Sequence, residues 1–546
     1  MFLKSDDPAM EASASERPVY AAVGAAGGGA TRSSPRRHGG AAGGCWSRVT
    51  PETRTALGAA ALLGVGGLTW GLELGAISGA IQQLRVCYGL SPSEVGLLVA
   101  VFGPGEVVGA AVGGAVGDRF GRRAALVLAN SLVVVSSVAF ATATTVRALF
   151  VFRGLSGMAS GSSMVAQIAW GSEVAPVRRR GSVMACYEVC IALGYLMSFS
   201  AFAGVHARAD GWRLLVALPA LPAAAQLAAV LAVAVESPTW LEASQKAAAA
   251  PKGAGGAAGA RASAAAYGLE VWEWRLPSAT MTTVLFFMFF TGGFNIRVYA
   301  LEVFQKVGLS PARAASMMVA LGLVKLSTTI LALAGIDYVG RRPLLGWSLV
   351  LTVRGLAGRP GVFHHGEQAV AASALTLAFG MDFSEKLRQT LAVAASIIYM
   401  VSFQMGFGTI NFVLLGELFP SALKGRLISA QQIPAAIFKF STQWVFSIAR
   451  RGALGSERII ELFAAHAVIA LLGVAFTRFG LVETKDLDAH EIRTHLEHAP
   501  LAQTLGYTCR RRYNDTALEL ATVDAAMRSP DAPSPAAGGR TKIQLV

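Results

Sequence analysis

Long apolar stretches separated by short polar segments dominate the chain between residues 57 and 483. Each stretch is close to the length of about 20 residues that an α-helix needs to cross the hydrocarbon core of a membrane. The pattern predicts twelve spans, six on either side of a polar segment. They lie near 57–80, 95–116, 123–142, 146–170, 181–203, 213–235, 278–301, 312–336, 343–380, 390–416, 427–449 and 459–481. We predict an all-α membrane protein with twelve transmembrane helices in two six-helix halves.

Composition supports this class. The chain is 53% hydrophobic and only 15% charged, with a mean hydropathy of +0.51, whereas soluble domains are roughly 25% charged. An ordinary soluble core is therefore excluded, and the lipid bilayer is an expected partner. The net charge of +14 is typical of basic loops in a membrane protein and does not indicate nucleic-acid binding.

The polar segments define a domain organisation. Residues 1–56 and 484–546 are predicted to be polar cytoplasmic tails, of which the N-terminal one is rich in Gly, Ala, Ser and Arg and predicted disordered. They flank an N-terminal half at 57–235 and a C-terminal half at 278–483. Residues 236–277 form the polar, Gly/Ala-rich linker between the halves.

Four short basic loops fix the expected orientation. All four fall at the same end of the predicted helices, here called the basic end, at 118–123, 175–181, 337–343 and 421–426. The positive-inside rule places this end in the cytoplasm. Both termini and the linker are then also cytoplasmic, and we expect the plasma membrane rather than an organelle membrane.

The two halves repeat each other in three places, which we interpret as a duplication. The matching pairs are "GDRFGRR" with "GIDYVGRR", "GSEVAPVRRRG" with "GELFPSALKGR", and "VESPTWL" with "VETKDLD". The ninth span breaks the symmetry because "VRGLAGRPGVFHHGEQ", at 353–368, interrupts it with charged residues and a proline. An insertion and a retained intron both remain open as explanations of that segment.

Taken together, these motifs resemble the major facilitator superfamily, specifically its sugar porter family, over residues 57–490. Besides the repeated motifs, "WGLELGAISGAI" at 70–81 and "FRGLSGMASG" at 152–161 are similar to patterns in the family's first and fourth helices. The resemblance implies a secondary transporter that works by alternating access.

The same resemblance implies ion pairs at the basic end. Arginine can bind carboxylates through two parallel hydrogen bonds, and such pairs need only bias two states that differ by a few kcal/mol. The implied gating residues are Asp118, Arg122, Arg123, Glu173, Arg180, Asp337, Arg341, Arg342, Glu417, Lys424 and Arg426. Arg153 is expected to belong to the same network.

At the centre, this chain departs from the family pattern. Phe289 and Phe290 replace two glutamines of the seventh helix. By alignment with the family, a glutamine, an asparagine and a tryptophan are also replaced. The substrate-binding candidates are Glu188, Asn295, Tyr299, Lys325 and Phe412. A charged residue is costly inside a membrane and is therefore expected to have a function. For this reason Arg297 and Lys439 are further candidates.

Three interpretations of Glu188 and Lys325 stay open. They pair with each other, or they bind an ionic or zwitterionic solute, or they are misaligned with the family's positions or face the edge of a cavity. Separately, Glu73 occupies the first-helix position where proton-coupled members of the family carry an acid, and Arg153 is its implied partner. Protonation of such a carboxylate releases its arginine, so we expect proton coupling.

We therefore expect a proton-coupled, sugar-porter-like transporter of a small polar solute, with a hexose or polyol as the family's default cargo. One alternative is a transporter of an amino acid or organic ion that uses Glu188 and Lys325. Another is a non-transporting nutrient sensor that signals through its tails. We expect no enzyme activity, because no nucleophile–base constellation or nucleotide loop is present. No cofactor or metal is expected either, since the cysteines lack metal-site spacing and Cys186 and Cys190 are typical of packing.

Overall fold

The computed structural model describes residues 50–176, 179–249, 272–350, 384–420, 423–449, 455–485 and 487–499. The two predicted tails, except 50–56 and most of 484–499, lie outside these ranges, as does most of the predicted linker. The hypothesis about residues 353–368 also falls outside them. Within the described ranges the regular secondary structure is helical, without a strand.

The first half begins with α1, the longest helix, at Pro51–Tyr88. The helices that follow are α2 (Pro92–Ala100), α3 (Phe102–Phe120), α4 (Arg122–Ala141), α5 (Val146–Val174), α6 (Arg180–Val205), α7 (Gly211–Ala217), α8 (Ala220–Val233) and α9 (Pro238–Ala249). Two predicted spans each consist of two helices, α2 with α3 and α7 with α8. Helix α2 begins with a capping box in which Ser91 and Glu94 satisfy each other's backbone N–H groups.

The second half repeats this order with more interruptions. Its helices are α10 (Arg275–Phe290), α11 (Gly293–Lys306), α12 (Pro311–Val339), α13 (Arg341–Val350), α14 (Glu385–Phe403), α15 (Thr409–Glu417), α16 (Lys424–Ala449), α17 (Gly455–Phe479) and α18 (Ala489–Glu497). The span made of α10 and α11 breaks at Gly292, which has the left-handed φ of +88°. A π-helical turn at Gln404–Gly408 joins α14 to α15.

Each of the twelve predicted spans overlaps a helix that the structure describes. In the ninth span that helix is α13 alone. Among the described residues, seven helical stretches are long and apolar enough to cross a membrane. Helix α5 is not among them because serines and glycines fill its buried face. Its partner helices inside the bundle, rather than lipid, surround that face.

The two halves meet along three lines of contact. Helix α6 packs against α12, α2 and α3 pack against α16, and α1 packs against α11. Within the first half, α1 lies along α6 and α3 lies along α5. Two buried ion pairs, Glu188 with Lys325 and Glu106 with Lys439, lie across these contacts.

Candidate functional site

A small cavity lies between the halves at the level of the broken helices. Its volume is about 50 Å³, which is room for a few water molecules. Five charged side chains line it, together with a ring of aromatic ones. The charged residues are Glu106, Glu188, Arg297, Lys325 and Lys439, and the aromatic ones are Trp70, Tyr195, Phe289, Phe294 and Phe412.

Glu188 and Lys325 form an ion pair across the two halves. Lys325 Nζ lies 3.3 Å from Glu188 Oε1 and donates a hydrogen bond of 2.8 Å to Gln404 Oε1. Gln404 Nε2 in turn donates to Glu188 Oε1 at 2.9 Å. Both charged side chains are at most 4% exposed. Glu188 Oε2 is buried without a hydrogen-bond partner in the described part of the chain, so one acceptor of this pair is unused there.

A second ion pair joins Glu106 and Lys439. This pair was not predicted from the sequence. Lys439 Nζ lies 2.6 Å from Glu106 Oε1, and both side chains are buried. Glu106 belongs to α3 and Lys439 to α16, so this pair also crosses between the halves. The signal in the sequence was an acid in the middle of the apolar span 95–116.

Arg297 differs from the two lysines because no carboxylate of the described chain lies within ion-pair distance of it. Its Nε donates to the Gly293 carbonyl at 3.2 Å. Its guanidinium is surrounded by aromatic rings, with centroids 4.5 Å away at Phe403, 5.1 Å at Phe294 and 5.7 Å at Tyr195. Arg297 is only 6% exposed, so the rings compensate its charge only in part.

The structure buries both Glu73 and Arg153 but does not join them in an ion pair. Arg153 instead lies over the Phe102 ring at 4.2 Å, and its Nε has no hydrogen-bond partner among the described residues. The charges that act on Glu73 are those of Arg153, Glu106 and Lys439. Glu73 therefore belongs to a buried cluster of four charged residues.

The other substrate-binding candidates divide between the cavity and the surrounding packing. Phe412 lines the cavity and makes edge-to-face contacts with Trp70 and Tyr187. Asn295 and Tyr299 do not line it. Asn295 donates weakly to the Thr442 carbonyl at 3.4 Å, and the Tyr299 ring stacks on Phe446 at 4.7 Å. The break at Gly292 turns both side chains toward α16.

At the basic end of the first half, Arg122 joins three helices. Its Nη1 lies 2.7 Å from Asp118 Oδ1, and its Nε donates to Glu173 Oε2 at 3.1 Å. Asp118 also accepts from Arg426 Nε at 3.1 Å. This last bond is the one that crosses between the halves, from α3 to α16.

The second half repeats the arrangement. Arg341 donates to Glu417 Oε1 from Nε at 3.1 Å and from Nη2 at 2.8 Å. Glu417 also accepts from Thr484, as Glu173 does from Ser237. The side chains of three predicted gating residues lie outside the described part of the structure, namely those of Arg180, Asp337 and Lys424.

The expectation that Arg123 and Arg342 bind carboxylates through their side chains is corrected by the structure. Arg123 donates to the carbonyls of Val230 and Leu231, at the end of α8. Arg342 does the same at the end of α17, where it donates to the carbonyls of Thr477 and Arg478. The last carbonyls of a helix have no partner within it and carry partial negative charge, which a guanidinium compensates.

Two glutamates that were not predicted as site residues complete the basic end. Glu236 accepts the backbone N–H of Arg122 at 2.7 Å, and Glu483 accepts that of Arg341 at 2.8 Å. A carboxylate at a helix N-terminus stabilises the free N–H groups there. The repeated "VES" and "VET" sequences contained this signal.

Substituting Gly121 by alanine is expected to destabilise the basic end by about 1–3 kcal/mol. Gly121 has a φ of +100°, and an added Cβ would lie 2.3 Å from Glu236 Oε2. The measurement is the apparent melting temperature in detergent, with Gly58→Ala as the control because that Cβ meets nothing within 4 Å. Equal melting temperatures for the two variants would contradict the packing of Glu236 against Gly121.

The halves also touch at the end opposite the basic loops. Ser78 donates to the backbone carbonyls of Arg297 and Val298 at 3.0 and 2.9 Å, and Gln82 donates to Gln305. The central cavity therefore has contacts between the halves on both sides of it. A solute larger than a few waters enters only after one set of contacts separates.

Comparison with known proteins gives one consistent result. A family model described as "Sugar (and other) transporter" matches residues 60–496. The chain is 27% identical to a putative metabolite transport protein, YwtG of Bacillus subtilis, over 79% of this chain and 93% of that protein. It is 25% identical to the facilitated glucose transporter member 10 of solute carrier family 2 from Mus musculus, over 82% and 94%.

Among solved structures, the proton:xylose symporter XylE of E. coli has the same fold. Its TM-score is 0.65 at 22% identity, and the match covers 82% of this chain and all of that one. The likeness extends over both six-helix halves.

Proposed function

The chain belongs to the sugar transporter family of the major facilitator superfamily, and from this membership we propose that it moves a small polar solute through the central cavity together with protons. It is an integral, multi-pass membrane protein and a secondary transporter that works by alternating access. Its relatives include proteins named for glucose and for proton:xylose transport. The solute and the coupling ion are proposals for this chain.

The observation that carries the proposal is the polar cavity between the halves. Glu188 of α6 and Lys325 of α12 meet in it, and Gln404 bonds to both. Alternating access needs a site whose contacts come from both halves, because rocking of the halves must change its exposure. Polar groups with unused hydrogen-bonding capacity, such as Glu188 Oε2, provide contacts for a polar solute.

At the basic end, we propose that the bond between Asp118 and Arg426 holds the two halves together in one state and breaks in the other. Most of the other ion pairs there, such as Arg122 with Glu173, stay within one half and hold its helix ends together. Asp118 accepts from both Arg122 and Arg426, so the first half's network orients the acceptor for the second half. We place this end in the cytoplasm from the charge of its loops.

For proton coupling we propose Glu73. It is buried on α1 among two cations and a second acid, so its protonation changes the charge balance of a cluster that spans both halves. Arg153 lies on α5 of the same half, which packs against α1, and it has no ion-pair partner among the described residues. We propose that a change in the charge of Glu73 acts on Arg153 within this half and so shifts the balance between the two states.

Replacing Glu73 by glutamine is expected to abolish proton-driven accumulation and to leave exchange intact. An amide neither binds nor releases a proton, whereas the cavity contacts of Glu188 and Lys325 are unchanged. The measurement is uptake of labelled glucose, xylose, myo-inositol and glucuronate into proteoliposomes that contain a trapped pH dye. Glu52→Gln, an exposed acid on the same helix, is the control.

If the Glu73→Gln protein still accumulated solute under an inward proton gradient, Glu73 would not be the residue that couples protons to transport. Flux of solute without dye response in the natural protein would show facilitation instead of symport. Binding of solute without flux would support the sensor and overturn the transport proposal.

A further inference from the structure

The charges that line the central cavity do not balance. Two carboxylates, Glu106 and Glu188, face three cations, Arg297, Lys325 and Lys439. Each lysine has its carboxylate, at 3.3 Å for Lys325 and 2.6 Å for Lys439. Arg297 is the cation left over.

A buried cation without a counter-ion is costly inside a membrane protein. Arg297 is held in place by its Nε bond to Gly293 and by the three surrounding rings. Within the described chain, its two Nη groups make no hydrogen bond, and the residue lines the cavity. A guanidinium presents two parallel N–H donors from this edge, which match the two oxygens of a carboxylate.

Whereas Arg297 needs an acceptor, Glu188 needs a hydrogen-bond donor. Its Oε2 is buried and accepts no hydrogen bond from the described residues, while Oε1 takes both Lys325 and Gln404. A solute that satisfies both groups carries a carboxylate for Arg297 and a hydrogen-bond donor for Glu188.

We propose that the solute is an organic acid, a molecule that carries a carboxylate together with a hydrogen-bond donor, and that Arg297 is the residue that selects its carboxylate. The proposal rests on the proposed transport function and narrows its substrate class. Sugar acids have this chemistry, and amino acids share the carboxylate but offer an ammonium donor. Neutral hexoses lack the group that Arg297 requires.

The central comparison of the test is between two ligands that differ mainly in charge. D-Glucuronate and its neutral amide, D-glucuronamide, have the same ring and nearly the same shape, and D-glucose and L-alanine complete the set. Binding to the purified full chain in detergent and uptake into proteoliposomes are measured for each solute at pH 7. We expect glucuronate to be preferred over glucuronamide on the order of 10- to 100-fold, which is the range for hydrogen bonds between charged groups.

Arg297→Gln is expected to remove that preference, because a neutral side chain no longer attracts the carboxylate more strongly than the amide. Arg297→Lys is expected to keep part of it, since a lysine retains the charge without the planar fork. Arg275→Gln is the matched control, because Arg275 also lies over an aromatic ring, Trp272 at 4.9 Å, but does not line the cavity. Melting curves of each variant establish that it is folded, and the lysine variant serves if the glutamine variant is not.

If alanine is preferred and Arg297→Gln abolishes that preference, the result would support recognition of a carboxylate by Arg297. The donor that satisfies Glu188 would then be the ammonium of the amino acid. Preference for glucose, or a glucuronate preference that Arg297→Gln leaves unchanged, would overturn the inference and make Arg297 a packing residue held by its rings. Neutral-sugar uptake in that case would leave the transport proposal standing. Binding of glucuronate that depends on Arg297 without uptake of any solute would support the inference and overturn transport.

Discussion

Replacing Lys325 by methionine is expected to lower stability by about 3–5 kcal/mol and to abolish transport. Removing one partner of a buried ion pair leaves the other charge buried alone, and that cost is about 3–5 kcal/mol in proteins. Glu188 would keep only its bond from Gln404, and its side chain is only 4% exposed. The measurements are the apparent melting temperature in detergent and solute uptake in proteoliposomes.

Two further variants make this prediction specific. Lys306→Met removes a lysine whose ion pair with Glu302 is partly exposed at 3.7 Å, and it should cost about 1 kcal/mol or less. The double variant Lys325→Met with Glu188→Gln replaces both charges by neutral groups, which is often close to neutral for folding. It should regain most of the lost stability while its uptake stays at least about tenfold reduced, since a tenfold loss corresponds to one modest polar contact.

A stable Lys325→Met protein would contradict the burial of the pair. Full uptake by the double variant would show that the pair only holds the two halves together. Recovery of folding without recovery of transport would instead place both groups in contact with the solute.

The helices were predictable from the sequence because membrane spans are long and leave few alternatives. The length of each apolar stretch and the position of each basic loop were enough to place them. The pairing of Glu188 with Lys325 was one of three interpretations that the sequence left open, and in this arrangement the two side chains do meet. Solute binding by the same residues stays a prediction.

Orientation within a helix was harder to predict where the helix breaks. Asn295 and Tyr299 follow the left-handed Gly292, which rotates the helix face relative to α10. Gln404 reaches Lys325 from a π-helical turn that no hydrophobic pattern indicates. These residues depend on backbone geometry that the period of apolar positions does not contain.

Two further features of the site follow from residues that are plain in the sequence. Arg122 and Arg123 are neighbours on a helix, where successive side chains point in directions about 100° apart. They cannot both face Glu173, so one of them had to find another acceptor. Glu106 was an acid inside an apolar span, which by itself marks a functional or paired residue.

Replacing Gly157 by alanine is expected to cost about 3 kcal/mol or more, at the upper end for overpacking. Helices α3 and α5 approach so closely that a Cβ on Gly157 would lie 2.1 Å from the carbonyl oxygen of Phe102. Backbone atoms cannot yield as a flexible side chain does, so the two helices must separate. The Phe102 ring lies under Arg153 at 4.2 Å and under Lys439 at 5.4 Å, so both cations would shift with it.

Gly154→Ala is the matched control, one turn earlier on α5, because its Cβ meets nothing within 4 Å. It should be neutral or stabilise the helix by about 0.5–1 kcal/mol, since alanine is the better helix former. Melting temperatures of both variants are compared in the same detergent, and uptake is measured where the protein remains folded. Equal melting temperatures would contradict the close approach of α3 and α5. A large drop confined to Gly157→Ala would instead show that small residues hold α3 and α5 together, and with them the buried charges of Glu106, Arg153 and Lys439.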